Sequence, residues 1–437
     1  MKEYNIKDNY KFYQFEDSKD MYDKLYDLLK EGYLISDSFN LSIELKKDNN
    51  YLLLSFLNPK IDENIKENIK SLYKKEEILY PDYNDCQLGI ISAFRNNFGY
   101  KYKYPIIDGI FDKKYKKVII LILDGLGTNI LLNNLDDNSF LRRHYLKNIH
   151  SNYPSTTAAS TTAMKSGLSP YQSGWTGWEN YFKELNENLI LFSGKVYKTD
   201  EPTKINGYIK MPYEMFYSDM KDVKGYFTDP DFNNKNRTFD DILNRSIELN
   251  LKDELQAQYV YYDEPDHLMH DLGPYDIKIK ELLKEMDKKI ERYANKLTED
   301  TLLVITADHG HRAVEPLNIY DAKILNDLLD RSPSNDARCI TFKVKDGKNK
   351  EFERIFNILF KDYFLLLTKD EAIKKGFFGL KDDIKHERID DFLADYVACA
   401  INNRYFNYKG VNNHLFKSHH AGITKDEMEV PIIVYRK

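Results

Sequence analysis

Val118-Ile119-Ile120-Leu121-Ile122-Leu123-Asp124-Gly125 is an unbroken apolar run that stops on an acid and a glycine. It is too short for a typical helix and rich in β-branched side chains. It therefore predicts a strand buried on both faces of a parallel sheet. Leu302 to Thr306 (LLVIT) repeats the design and runs into Ala307, Asp308, His309 and Gly310. Gln258 to Tyr262 is a third such run and ends just before Asp263. Between the last two, Ile279, Leu282, Leu283, Met286, Ile290, Tyr293 and Leu297 fall on one helical stripe. Strand, helix, strand is a βαβ unit, which implies an α/β fold with a mostly parallel central sheet. Ligands of such sheets bind beyond the carboxyl ends of the strands. Three buried strands end here in acids or histidines, so the organisation points to one site.

Outward from this core, the stretch from about Glu315 to Lys417 separates His309 from His420. It holds an alternating segment, Cys339 to Val344, and a helical pattern over Glu351 to Phe360, and reads as a small α+β insertion of cap type. A near-terminal strand is expected over Pro431 to Tyr435. Residues 1–78 are rich in Lys, Asp, Asn and Tyr, with short apolar runs such as Tyr51 to Leu57. They read as an N-terminal α+β attachment without a catalytic motif, closed by the turn-rich LYPDYND. Residues 79–437 are then the catalytic domain.

Composition narrows the class. A chain of 437 residues exceeds one simple core. The net charge of -6 argues against a nucleic-acid coat or a binder of anionic membranes, since both want a basic surface. The three cysteines are scattered without metal-ligand spacing and suit a reducing compartment. The start, MKEYNIKDNYKFYQF, has no signal-like apolar run, and no stretch approaches the ~20 apolar residues that span a bilayer. The cytoplasm is the expected location; the oligomeric state is not legible.

Several short stretches carry chemistry, and each has a plain structural counterpart. Asp266 and His270 are four apart, so on one helical turn they point the same way, as metal ligands or as a surface hydrogen-bonded pair. Asp308-His309-Gly310 after a buried strand brings two ligand types to one place if Gly310 turns the chain; the alternative is a helix N-cap beside a bystander histidine. Asp124-Gly125 is a third acid at a strand end, or only a turn. Tyr153 to Thr162 (YPSTTAASTT) reads as a helix start whose free N–H groups attract phosphate, or as a capping cluster of small residues. His419-His420 before the last strand is a mild metal signal.

Taken in order, DG, TTA, EPDxxxHxxGP, DHG and HHAG resemble the alkaline phosphatase superfamily, in its nucleotide pyrophosphatase/phosphodiesterase (type I phosphodiesterase) branch. The resemblance extends over most of residues 79–437. It implies two divalent metals, zinc first and manganese as the alternative the same donors accept. Asp124, Asp308 and His309 would hold one, with the oxygen of Thr157; Asp266, His270 and His420 would hold the other. Thr157, three residues after Pro154, would be the nucleophile and pass through a phospho-threonine intermediate. The substrate implied is a small phosphodiester or phosphoanhydride, a nucleotide among the candidates. A phosphomonoesterase, or a metal-stabilised binding or sensor protein without turnover, are the alternatives. Where the family often has Pro-Asn after the nucleophile this chain has Ala159 and Ser160, and Ser160 is the candidate donor to a phosphoryl oxygen. Trp175 and Trp178, with Tyr181 and Phe182, are candidates to stack on a base, against the commoner reading of aromatics as core. Lys165, eight residues past Thr157, is expected to face solvent. His267, His311 and His419 neighbour ligands as supporting partners or bystanders.

Overall fold

The computed structural model describes residues 77–230, 238–409 and 414–437 continuously, and before them five strands with some of the positions between. The chain divides into two compact units, Met1–Lys74 and Lys75–Lys437. In the first, five strands pair in the order Lys2–Lys7, Tyr10–Phe15, Asn50–Phe56, Ser42–Lys47, Leu34–Phe39. Tyr13, Phe15, Leu52 and Leu54 are buried at alternate positions, the period a one-sided sheet requires. The apolar run from Tyr51 is one of these strands; most of residues 57–78 lie outside the described residues.

The second unit is built on a six-stranded sheet. Its strands, in chain order, are β1 (Lys117–Leu123), β2 (Tyr145–His150), β3 (Lys224–Thr228), β4 (Gln256–Tyr262), β5 (Thr301–Thr306) and β6 (Glu429–Arg436). They lie side by side as β3-β4-β1-β5-β6-β2. The pairs among β3, β4, β1 and β5 are parallel, and β6 pairs antiparallel with β5 and β2. Every residue of β1 and β5 is buried, as their unbroken apolar runs require. Truncating a residue at the centre of β1, such as Ile120, would cost about 2–5 kcal/mol through the cavity left behind.

Three helices matter for the site: α1 (Thr157–Ser166), α2 (Asp266–Leu272) and α3 (Ile277–Lys296). α3 starts where Asp276 accepts the Lys278 N–H, and it buries Ile279, Leu283, Met286, Ile290 and Tyr293. It crosses from β4 to β5, completing the βαβ unit. Register sets Leu123 beside Tyr262 and Ile122 beside Thr306, so β4, β1 and β5 end level. Whatever follows those three residues is delivered to one place.

A second, antiparallel sheet runs Phe364–Thr368, Tyr396–Ala400, Cys339–Phe342, Ser334–Asn335, Glu179–Phe182, Glu187–Ile190. It takes the hairpin 179–190 as well as strands from the region after Glu315. Cys339–Phe342 is buried at every position, because Cys339 joins one apolar cluster while Ile340 and Phe342 join another with Phe352 and Phe356. Among the described residues no helix is long and apolar enough to cross a membrane.

Candidate active site

The three level strand ends deliver Asp124 directly after β1, Asp266 at the first position of α2 after β4, and Asp308 two residues after β5. The backbone binds them together: the Asp266 N–H donates to the Asp124 carbonyl at 3.1 Å. Gly125 N–H and His309 N–H both donate to Asp308 Oδ1, at 3.1 and 3.0 Å. Gly125 has φ +71°, and a Cβ there would sit 3.0 Å from Asp266 Cβ. Both the left-handed backbone and the tight approach call for glycine. Gly310 is needed for a different reason from the expected turn. A Cβ on it would lie 2.0 Å from the Asp426 carbonyl, so the chain passes too close for any side chain.

Asp124, Asp308 and His309 form one cluster. His309 Nδ1 faces the Gly310 carbonyl at 3.0 Å, which places its proton there and leaves Nε2 as a lone pair. That lone pair lies 3.3 Å from Asp124 Oδ1 and 3.5 Å from Asp308 Oδ2. Both oxygens are buried and accept no hydrogen bond among the described residues. Burial, with Asp308 and Asp266 nearby, pushes Asp124 well above the usual carboxylate range, and burial pushes Asp308 up too. Two carboxylate oxygens that accept no hydrogen bond among the described residues converge here with an imidazole nitrogen, a donor set that could hold a cation. Thr157 opens α1 beside them: its hydroxyl is 3.5 Å from Asp124 Oδ2 and 3.2 Å from His309 Nε2.

Asp266, His270, His311 and His420 form the second cluster. His270 Nδ1 is 2.9 Å from the Ser418 carbonyl and its Nε2 is 3.3 Å from Asp266 Oδ2; burial favours the neutral imidazole, but Asp266 raises it above its ordinary value. The Ser418 hydroxyl donates to the Met269 carbonyl at 2.6 Å. It can therefore only accept from His311 Nδ1 at 2.8 Å. His311 Nε2 faces Asp266 Oδ1 at 2.5 Å. His420 Nε2 lies 3.6 Å from the same oxygen, and the His420 ring stacks on His309 at 3.8 Å, joining the clusters. Although burial favours its neutral form, His270 and His311 hold the Asp266 carboxyl well below its ordinary range. This donor set also fits a divalent metal. His311 is closer to the site than its sequence reading as a neighbour implied; only its position next to a DHG motif could have signalled it. His267 is exposed, while His419 is buried against His270 at 5.1 Å between ring centres.

Of the other predicted residues, Ser160 is not brought to the site. It is fully buried on α1, bonded to Ser151 Oγ at 3.0 Å and to the Asn152 carbonyl at 3.3 Å. Ser151 in turn donates to the Asp308 carbonyl at 2.6 Å, so Ser160 steadies a site loop and does not face a substrate. Trp175 is also corrected: it is fully buried, its indole N–H spent on the Met211 carbonyl at 3.0 Å, among Phe192, Tyr208 and Tyr213. Trp178 keeps an exposed ring, edge-on to Phe192. Tyr181 lies under the Arg331 guanidinium at 3.6 Å, and Phe182 is buried against Phe392. Lys165 does not face solvent. It lies on the same stripe of α1 as Thr157 and Thr161, with its ammonium 5.0 Å from the Phe227 ring and 5.7 Å from that of Tyr259, and burial lowers it to about 8.

Some supporting residues carry no sequence signal. Gln87 donates to the Ala307 and Asp308 carbonyls, both at 2.7 Å, and accepts from Asn152. Arg338 and Glu427 form a fully buried bidentate pair at 2.6 and 2.7 Å. Glu427 also accepts from Gly422 N–H, and its carbonyl accepts from Gly310 N–H, so this pair braces the loops that carry His420 and His309. Asn180 accepts from the Thr176 hydroxyl at 3.3 Å, which leaves its amide Nδ2 buried without a partner among the described residues.

The family model for type I phosphodiesterase / nucleotide pyrophosphatase matches residues 118–420, well over half of the chain, and the chain belongs to that family. Among curated proteins, it is 26% identical over 247 residues to "GPI ethanolamine phosphate transferase 2" of Candida albicans, covering 49% of this chain. The match spans about a quarter of such relatives' length. Among solved structures it is similar to an inactive variant of murine ectonucleotide pyrophosphatase / phosphodiesterase 5 in complex with AMP. That likeness has a TM-score of 0.54 and 16% identity over 72% of this chain and 87% of that one. Phosphonoacetate hydrolase from Sinorhizobium meliloti 1021, in complex with phosphonoformate, gives a TM-score of 0.52 and 16% identity over 73% and 90%. At such identities these two likenesses show the fold.

Proposed function

We propose that this chain is a two-metal phosphodiesterase that hydrolyses a small phosphodiester or phosphoanhydride through Thr157. The observation that carries the reading is the Thr157 hydroxyl at 3.5 Å from Asp124 and 3.2 Å from His309, beside carboxylate oxygens that accept no hydrogen bond among the described residues. Asp124, Asp308 and His309 would hold one divalent ion together with the Thr157 oxygen. Asp266, His270 and His420 would hold the other, zinc being preferred for both. Ions bound there would stabilise negative charge as it develops on the phosphoryl, nucleophile and leaving oxygens.

The chain's own part is positional. As the first residue of α1, Thr157 sits where the free N–H groups and the helix dipole favour a phosphoryl anion. The proton of its hydroxyl faces two acceptors, Asp124 Oδ2 and the lone pair of His309 Nε2. The Thr157 Oγ1–P bond forms as the bond from phosphorus to the leaving oxygen breaks, and that oxygen takes up a proton. Water then attacks phosphorus and the Thr157 Oγ1–P bond breaks, restoring the hydroxyl. Asn180, whose buried amide Nδ2 has no partner among the described residues, is our candidate donor to a phosphoryl oxygen, the part first assigned to Ser160. Trp178 offers an exposed ring to the alcohol or nucleoside portion.

Hydrolysis of a chromogenic phosphodiester is compared with that of the corresponding monoester on zinc-loaded protein. The reading expects preference for the diester; a strong monoester preference overturns it. The match to ethanolamine phosphate transferases supports a second reading, in which an alcohol replaces water in the second step. Adding an amino alcohol to the assay separates the two: a new phosphodiester product marks transfer, and unchanged hydrolysis marks a hydrolase.

A further inference from the structure

Thr156 is the N-cap residue of α1, yet its side chain does not cap the helix. A threonine there usually lends its oxygen to a first-turn N–H. Here its hydroxyl instead donates to Asp336 Oδ2 at 2.9 Å, across 180 residues of sequence. Asp336 is 2% exposed and belongs to the turn between the strands Ser334–Asn335 and Cys339–Phe342 of the second sheet. The backbone N–H groups of Ala337 and Trp178 lie on the side of its charged form. The turn that presents it is tightly specified. Asn335 has φ +93°, a left-handed backbone that a non-glycine residue adopts at a cost, and its amide is tied to the Cys339 carbonyl at 2.8 Å. Gly177 passes over the same turn so closely that a Cβ on it would lie 2.3 Å from the Asn335 carbonyl.

We propose that Asp336 is a positioning residue for the reaction: by holding the Thr156 hydroxyl it fixes the Thr157 hydroxyl between Asp124 and His309. The same bond draws the Thr156 side chain away from the first turn of α1, leaving those N–H groups for phosphoryl oxygens. It also makes the second sheet part of the catalytic apparatus. The strained turn, the glycine crossing and the carboxylate all serve one hydrogen bond to the residue before the nucleophile. The proposal rests on the reading that Thr157 is the nucleophile.

The test compares zinc-loaded wild type with Thr156→Val, Thr156→Ser, Asp336→Ala, the double variant Thr156→Val/Asp336→Ala, and Thr157→Ala. Readouts are kcat and KM on a chromogenic phosphodiester, bound zinc and thermal melting. Thr156→Val and Asp336→Ala are each expected to lower kcat about tenfold to a hundredfold, the cost of an ångström-scale misplacement. Zinc content stays unchanged, KM moves little, and the double variant is no worse than either single, because one bond is lost in all three. Thr156→Ser, which keeps the hydroxyl, restores turnover, whereas a merely structural role would track melting temperature. If Thr157→Ala is inactive while Thr156→Val turns over like wild type, or if the two losses multiply, the positioning role is overturned and the nucleophile stands. If Thr157→Ala retains turnover, the nucleophile reading fails and the positioning role with it.

Discussion

The two ligand clusters sit at the same strand ends but solve opposite electrostatic problems. Around Asp124 and Asp308, two buried carboxylates face one imidazole, and two of their oxygens have no hydrogen-bond partner among the described residues. Around Asp266, one carboxylate faces three imidazoles, and His270 and His311 already hold it in its charged form. In the first cluster acids outnumber imidazoles; the second is nearly self-neutralising. Thr157, the proposed nucleophile, belongs to the first, where a bound cation would have the most charge to offset. The difference teaches that one site can pair a strongly demanding half with a tolerant half, and that metal loss should not affect the two alike.

The largest effect that would break this comparison is on the metal-free protein. Asp124→Asn removes like-charge repulsion and should melt higher than metal-free wild type, whereas Asp266→Asn strips two imidazoles of their acceptor and should melt lower. Both should lose turnover by about 10⁴-fold or more once metal is restored. Equal melting shifts of the same sign would erase the distinction.

Next in size is the buried pair that braces both clusters. Arg338→Met leaves Glu427 uncompensated and should cost about 3–5 kcal/mol in chemical denaturation. Burial alone would raise Glu427, but Arg338 together with Thr424 and Gly422 holds it below its ordinary value. Its contribution is therefore present above the ordinary carboxylate range and lost as pH falls through the lowered value. Glu427→Gln should flatten that acid limb of the stability profile, and an unchanged limb would place the dependence elsewhere.

His311→Ala sharpens the comparison from the second cluster. Zinc affinity should fall about tenfold to a hundredfold, as it does when a residue orienting a ligand is removed, with the loss confined to one of two zinc equivalents. Loss from both equivalents would mean the clusters are not separable. The smallest effect is at Trp178. Trp178→Ala should raise KM and leave stability within about 0.5 kcal/mol, as at exposed positions generally. Trp175→Ala, in the core, should instead cost about 3–5 kcal/mol.

Much of the fold was legible because Val118 to Leu123 and Leu302 to Ile305 are apolar at every position, the pattern of a doubly covered strand. The residues of both clusters, His311 apart, were legible because ligand chemistry restricts residue type and the strand ends restrict place. Ser160 and Trp175 misled for one reason: composition shows that a group can donate or stack, but burial decides where it points. Lys165 was misplaced because the stripe it shares with Thr157 and Thr161 faces the sheet, where aromatic rings accept its ammonium. Asp336, Gln87 and Arg338 were invisible because each acts as a single polar residue across 180, 221 and 89 positions of sequence. No local spacing encodes such pairs.

The central claim is that Thr157 carries the phosphoryl group, and acid-quenched turnover tests it most directly. Zinc-loaded protein is mixed with excess phosphodiester, quenched within a single turnover, and digested for mass spectrometry. A phosphoryl group is expected on the peptide containing Thr157, mapped to that residue and absent from Thr157→Ala. An unmodified peptide during active turnover, or a phosphoryl group on any other residue, would contradict it.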